Sequence, residues 1–261
     1  MGIVWIASYP KSGNTWLRFL LANYLIGPIE SSEQVERLIP GFNHGTDGMG
    51  LVANRGVVYG KSHDKWGPGH PCSYLTDRAV VVLRHPKDVL LSGLNYQSIT
   101  GKRSAGFSPE EYVTTFIRCG GDPKWIDAGY GTLEEHTSSW MDGRASPPRL
   151  FVRYETLKAD APGELRRVVQ FLGLSVDEAQ LAMAVERSGF EQMRAIEVRE
   201  RRDRKFSPLW GDIPIIQGRA RYFMNEGRIT ASLHHINPGL DRAFDQRFAG
   251  LIERLGYRKT G

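Results

Sequence analysis

The chain has 261 residues, 41% hydrophobic and 24% charged, ordinary globular values that exclude a disordered protein. Lys+Arg 34 against Asp+Glu 29 leaves a charge of +5, a surplus that suits an anionic-ligand pocket better than a nucleic-acid clamp. Two cysteines, Cys72 and Cys119, without CxxC spacing, support neither a disulfide framework nor a zinc site.

Four apolar runs read as buried strands, at residues 3–8, 56–60, 79–83 and 149–152. Continuous rather than alternating apolarity is what a parallel sheet covered on both faces requires. A helix marked by Leu17, Leu20, Leu21, Tyr24 and Leu25 follows the first run and ends at Gly27-Pro28. Another begins at Pro86, and a third spans about 162–172 before Gly173. Strands alternating with helices predict an α/β domain. Glycine-rich loops fall at 41–50, 67–69, 101–106 and 120–131, and the charged segment 199–205 reads as a mobile flap or a solvated helix end. No apolar run approaches the ~18–20 residues of a membrane span. No signal-peptide pattern opens the chain, so a cytoplasmic location is expected.

The segment Ser8-Tyr9-Pro10-Lys11-Ser12-Gly13-Asn14-Thr15-Trp16 follows a strand and opens a helix. Amides at a helix N-terminus carry partial positive charge and bind phosphate oxygens. Lys11 adds a full charge, Gly13 allows close backbone approach, and Ser12, Asn14 and Thr15 carry side-chain donors. The Walker A spacing is missing, because Lys11 precedes Gly13 instead of following it, which disfavours a Mg-ATP kinase. A plain strand-to-helix turn is the competing reading.

Tyr9 to Trp16 resembles the 5′-phosphosulfate loop of the cytosolic-type sulfotransferases, which use 3′-phosphoadenosine 5′-phosphosulfate (PAPS). The family pattern YPKSGTTW has Thr where Asn14 stands, and Asn keeps a side-chain donor. The resemblance implies that Pro10, Lys11, Ser12, Gly13, Asn14, Thr15 and Trp16 bind the nucleotide, Trp16 offering adenine an aromatic face. Arg84-His85-Pro86-Lys87-Asp88-Val89, with Ser92, resembles the family's 3′-phosphate motif RNPKDVxxS at the same spacing. Physics agrees: a guanidinium at the carboxyl end of a strand can grip a phosphate with two hydrogen bonds. The bland alternative pairs Arg84 with Asp88.

Arg153-Tyr154-Glu155-Thr156-Leu157, before Phe171-Leu172-Gly173, resembles the family's YEDL…FLG region. Ser188-Gly189-Phe190-Glu191-Gln192-Met193 resembles its SFExM segment, so Tyr154, Ser188 and Phe190 are expected on the adenine side. The family's RKGxxGxW has no clean copy. Gly218, Arg219 and Arg221 stand in for it, with Glu226-Gly227-Arg228 as a competing alignment. The implied fold is a P-loop-containing nucleotide-binding fold: one domain over 1–261, with a central parallel sheet, helices on both faces and elaborated acceptor-binding loops.

Lys61-Ser62-His63 ends the second strand and resembles the family's Lys-Ser/Thr-His, whose histidine is the general base. An unperturbed pKa of about 6.5 suits imidazole to that task. The resemblance casts His63 as base, Lys11 as the stabiliser of charge on the bridging oxygen, and Lys61 as a guide for the acceptor or a sulfuryl oxygen. The bland reading makes His63 a strand-end residue bonded to a loop carbonyl. His44, His70, His85, His136, His234 and His235 read as structural, though His44 and His70 sit in loops beside the expected pocket, within reach of an acceptor.

The expected activity moves a sulfuryl group from PAPS to a hydroxyl, or an amine, of a small molecule or natural product. Adenosine 3′,5′-bisphosphate (PAP) is the other product. A sulfuryl group carries less charge than a phosphoryl group, so no metal is required. An atypical P-loop kinase and a non-catalytic sensor of 3′,5′-bisphosphorylated nucleotides are the alternatives. The start of the chain looks closer to bacterial members that tailor secondary metabolites. Phe42, Trp66, Trp125 and Tyr130 offer apolar walls for a bulky acceptor. Oligomeric state stays open, a homodimer among the options.

Overall fold

β1 (Ile3–Ser8) is buried at all six positions, as only the central strand of a covered sheet can be. The computed structural model describes residues 2–41, 53–54, 56–99, 108–142, 147–203, 207, 209–210, 222–224, 227, 229 and 232–257. β1 runs parallel to β3 (Val57–Ser62) on one side and to β4 (Thr76–Leu83) on the other. β5 (Arg149–Arg153) continues the parallel sheet beside β4. β2 (Ala53–Asn54) adds a short antiparallel edge, giving the order β2-β3-β1-β4-β5. The sequence reading missed β2, two residues being too few to show a period. It also started β4 late, because Asp77 and Arg78 interrupt the apolar run.

Register decides where the site lies. Ala7 pairs with Ser62, and Ser8 with Val82. The carboxyl ends of β1, β3 and β4 therefore lie side by side at one end of the sheet, and the chain crosses β1 between β3 and β4. That is the switch point at which open α/β sheets bind ligands.

α1 (Asn14–Ile26) and α2 (Ser32–Leu38) link β1 to the β3 side, Gly27 closing α1 at φ 89°. α3 (Pro86–Ile99) follows β4, with α4 (Pro109–Cys119), α5 (Pro123–Trp125), a π-helical turn (Ile126–Tyr130) and α6 (Leu133–Asp142) before β5. Beyond it come α7 (Tyr154–Ala159), α8 (Ala161–Phe171), α9 (Glu178–Arg187), α10 (Phe190–Arg202) and α11 (Pro238–Arg254).

Strand residues alternate between two cores. Val4, Ile6, Tyr59, Val80, Val82 and Val152 pack against α1, α8 and α9. Ile3, Trp5, Ala7, Val58, Ala79 and Val81 face the other way, onto Trp140 of α6. A third cluster joins α3, α4 and α11, where the buried Lys87 ammonium lies 2.7 Å from Asp241 and 2.8 Å from Asp245. Lys87 is a tie between helices.

Candidate active site

The loop after β1 is held in an unusual backbone shape. Lys11 has φ 67° and Gly13 φ 107°, both in the left-handed region. Such turns aim successive amides into one concavity. A Cβ on Gly13 would also come 2.5 Å from the Tyr154 ring, so two constraints demand glycine there. α1 starts on Gly13 with no side-chain cap, which leaves its first amides for a ligand. Pro10, Lys11, Gly13, Asn14, Thr15 and Trp16 line a cleft of about 1200 Å³. Two expected donors are differently used. The Asn14 amide donates inward, to the Ile6 carbonyl at 2.9 Å and Ser8 Oγ at 3.2 Å, and Ser12 is buried and off the cleft lining.

Arg84 leaves β4 and donates to the Lys11 carbonyl at 3.2 Å. Its guanidinium lies 4.1 Å over the Tyr154 ring, and Tyr154 meets Trp16 edge-on at 5.6 Å. Arg84, Ser92, Tyr154 and Phe190 all border the cleft. Ser188 does not, which corrects its expected adenine contact. It is fully buried, its carbonyl accepting from Trp16 Nε1 at 3.0 Å and its Oγ from Asn23 at 3.0 Å. Ser188 orients Trp16 instead.

His63 projects from the end of β3, and its Nδ1 donates to the Ser8 carbonyl at 2.7 Å. That bond fixes the tautomer with Nε2 as the acceptor. Burial first, then the nearby Lys61 charge, holds the His63 pKa well below the usual imidazole range, so the ring is neutral. Burial and the Arg18 charge push Lys61 down to about 8, and burial and Arg84 push Lys11 down to about 7. Lys61, His63 and Arg18 all reach the cleft. Arg18, which the sequence reading missed, is buried on α1 and lies 3.0 Å from Glu36.

His70 is no part of this cleft. It packs on Trp5, Trp66 and Trp140, with Nε2 3.1 Å from Ser62 Oγ. Trp66 goes with it, leaving Trp125 and Tyr130 as the aromatic walls, Tyr130 edge-on to His63 at 5.7 Å. His136 is buried, its pKa lowered to about 3 chiefly by desolvation. His235, read as structural, sits exposed on the cleft lining. Phe42, His44, Gly218, Arg219 and Arg221 lie outside the described residues. Of the two C-terminal alignments, the one through Gly227 has its glycine on the cleft, where the carbonyl accepts from Tyr154 Oη at 3.4 Å. Residues 199–202 are the last turn of α10, the helix-end reading.

Among the described residues no helix is long and apolar enough to cross a membrane, and no group of three His, Cys, Asp or Glu is placed to hold a metal ion. Both cysteines are free thiols.

The profile of the sulfotransferase domain matches residues 71–255, from before β4 to the end of α11. The chain belongs to the sulfotransferase family. Its activity class, PAPS-dependent sulfotransferase, goes with that membership. Human Sulfotransferase 1C2 is 24% identical over 261 residues, covering 95% of this chain and 82% of the relative. Human Sulfotransferase 2B1 is also 24% identical, and a WSCD family member of Aedes aegypti is 30% identical over 185 residues. The chain spans 52% and 54% of those two. Retinol dehydratase, solved with androsterone and the inactive cofactor PAP, superposes with a TM-score of 0.70 at 17% identity, over 99% of this sulfotransferase and 82% of the neighbour. Mouse sulfotransferase SULT7A1, complexed with PAP, gives 0.67 at 18% identity over 96% and 84%. These neighbours share the P-loop-containing nucleotide-binding fold.

Proposed function

We propose that this sulfotransferase, working as a single domain, transfers the sulfuryl group of PAPS to a hydroxyl of a small-molecule acceptor, with His63 as general base. The observation that carries the reading is the 2.7 Å bond from His63 Nδ1 to the Ser8 carbonyl, which ties the base to the start of the phosphate loop. The residues present fit the nucleotide: a loop turned by left-handed backbone at Lys11 and Gly13 on the cleft, and two lysines whose charge burial has made costly until an anion arrives. PAPS supplies the sulfuryl group.

Lys11 and the first amides of α1 hold the 5′ end and meet the charge that develops there. Arg84 and Ser92 take the 3′-phosphate, and Trp16, Tyr154 and Phe190 enclose the base. His63 Nε2 accepts the proton of the attacking hydroxyl, and Lys61 orients it. Leu91, Leu94, Trp125 and Tyr130 give the acceptor side an apolar lining. One neighbour, retinol dehydratase, solved once with androsterone and once with retinol, supports a small, apolar acceptor.

Calorimetry tests the nucleotide assignment. PAP is expected to bind about ten- to a hundred-fold more tightly than AMP, because a charge-assisted contact at Arg84 is worth about 1.5–3 kcal/mol. Equal affinities would remove the 3′-phosphate site, and preference for ATP would favour the kinase reading. Charge at the 5′ end is assigned to Lys11 and loop amides, so turnover is expected to persist in excess EDTA. Loss on chelation, restored by Mg²⁺, would overturn that assignment.

A further inference from the structure

Helix α10 carries two buried carboxylates, Glu197 just before the charged run 199–205 and Glu200 within it. Glu197 is fully buried. Its oxygens accept from the backbone N–H of Phe223 at 2.6 Å and of Met224 at 2.9 Å, with the Arg201 guanidinium 2.5 Å away. Glu200 accepts from Trp210 Nε1 at 2.6 Å, from Ser32 Oγ at 2.6 Å and from the Ser32 N–H at 2.7 Å. A carboxylate leaves water only where donors compensate it, so these bonds fix the segments they reach.

What they fix is one wall of the cleft. Phe223 and Met224 line it, and the Phe223 ring lies 3.6 Å from the Lys11 ammonium. Tyr96 flanks the same ammonium at 4.5 Å. Behind Phe223, Trp210 packs at 5.8 Å and stacks in turn on Phe19 of α1. Glu197 is not itself on the cleft lining.

We propose that Glu197 is a positioning residue for nucleotide binding, holding the Phe223–Met224 backbone so that this wall faces Lys11, with Glu200 anchoring Trp210 behind it. The proposal rests on the nucleotide reading above. It assigns a role in binding to a side chain that touches no ligand.

The test is Glu197→Gln, which keeps the shape but replaces one acceptor oxygen with a donor facing an N–H. Expected are faster hydrogen exchange at the Phe223 and Met224 amides, and a rise of about tenfold in the Kd of PAP and the KM of PAPS. kcat and the acceptor KM stay within about threefold. Phe223→Ala leaves the carboxylate its backbone partners and removes the wall, and it is expected to weaken PAP to the same extent. A folded Glu197→Gln or Phe223→Ala variant that binds PAP within twofold of wild type overturns the proposal. So does Glu197→Gln with unchanged exchange at the two amides. Failure of the wild-type protein to bind PAP would overturn the nucleotide reading, and the exchange measurement would still judge the clasp.

Discussion

His63→Ala is expected to lower kcat by about 10²–10⁴-fold while PAP affinity changes little. The separation follows from topology. Nucleotide contacts are assigned to the ends of β1 and β4, whereas His63 leaves β3 on the opposite side of β1. The substitution also strips the Ser8 carbonyl of its donor, at about 1 kcal/mol, so the variant has to be compared at a temperature where it is folded. The pH profile gives a second reading of the same group. Burial and Lys61 depress the His63 pKa, so the imidazole stays unprotonated to lower pH than a free histidine would. The acidic limb of kcat/KM set by His63 is therefore expected below pH 6.5, and it should vanish in the variant. A folded His63→Ala enzyme within about threefold of wild type would take His63 out of the mechanism.

The parts of this site that were legible are those in which chemistry and strand end are contiguous. Residues 3–8 read as a strand at both boundaries, and Lys11, Lys61, His63 and Arg84 each follow an apolar run within a few positions. Arg18 was hidden because a lone arginine on an apolar helix looks like surface, and nothing local announces its pairing with Glu36. Phe223 was out of reach, and Gly227 entered only through a competing alignment, for a different reason. Their place on the cleft depends on Glu197 and Tyr154, 26 and 73 residues away. Composition misled at residues 199–205: the charge there belongs partly to a helix end, while Glu200 within it and Glu197 just before it are buried. Asn14 misled in the opposite sense, its side chain serving β1 while its place at the helix start keeps its residue on the cleft.

Lys11→Ala is expected to weaken nucleotide binding and also to cut turnover by about 10²–10³, the usual range for removing one preorganised charge-stabilising donor. The pH dependence of binding then separates this lysine from its neighbours. Without a ligand, burial and Arg84 hold the Lys11 pKa near 7 against an ordinary value of 10.5. An anion beside the ammonium favours the charged form and raises that value. Below pH 7 Lys11 is protonated before and after binding, so affinity is flat. Above pH 7 the protein must take up a proton as the nucleotide binds, and PAP affinity falls by up to about tenfold per pH unit until the raised pKa of the complex is passed. Lys61, held near 8, adds a second uptake at higher pH if it too meets the ligand. Calorimetry in buffers of different ionisation enthalpy counts those protons directly. In Lys11→Ala the uptake that begins near pH 7 should disappear, so the penalty of the substitution is largest at pH 6 and shrinks towards pH 9. An affinity of the wild-type protein that is level from pH 6 to 9 would mean that Lys11 is charged throughout, and its desolvation would then play no part in binding.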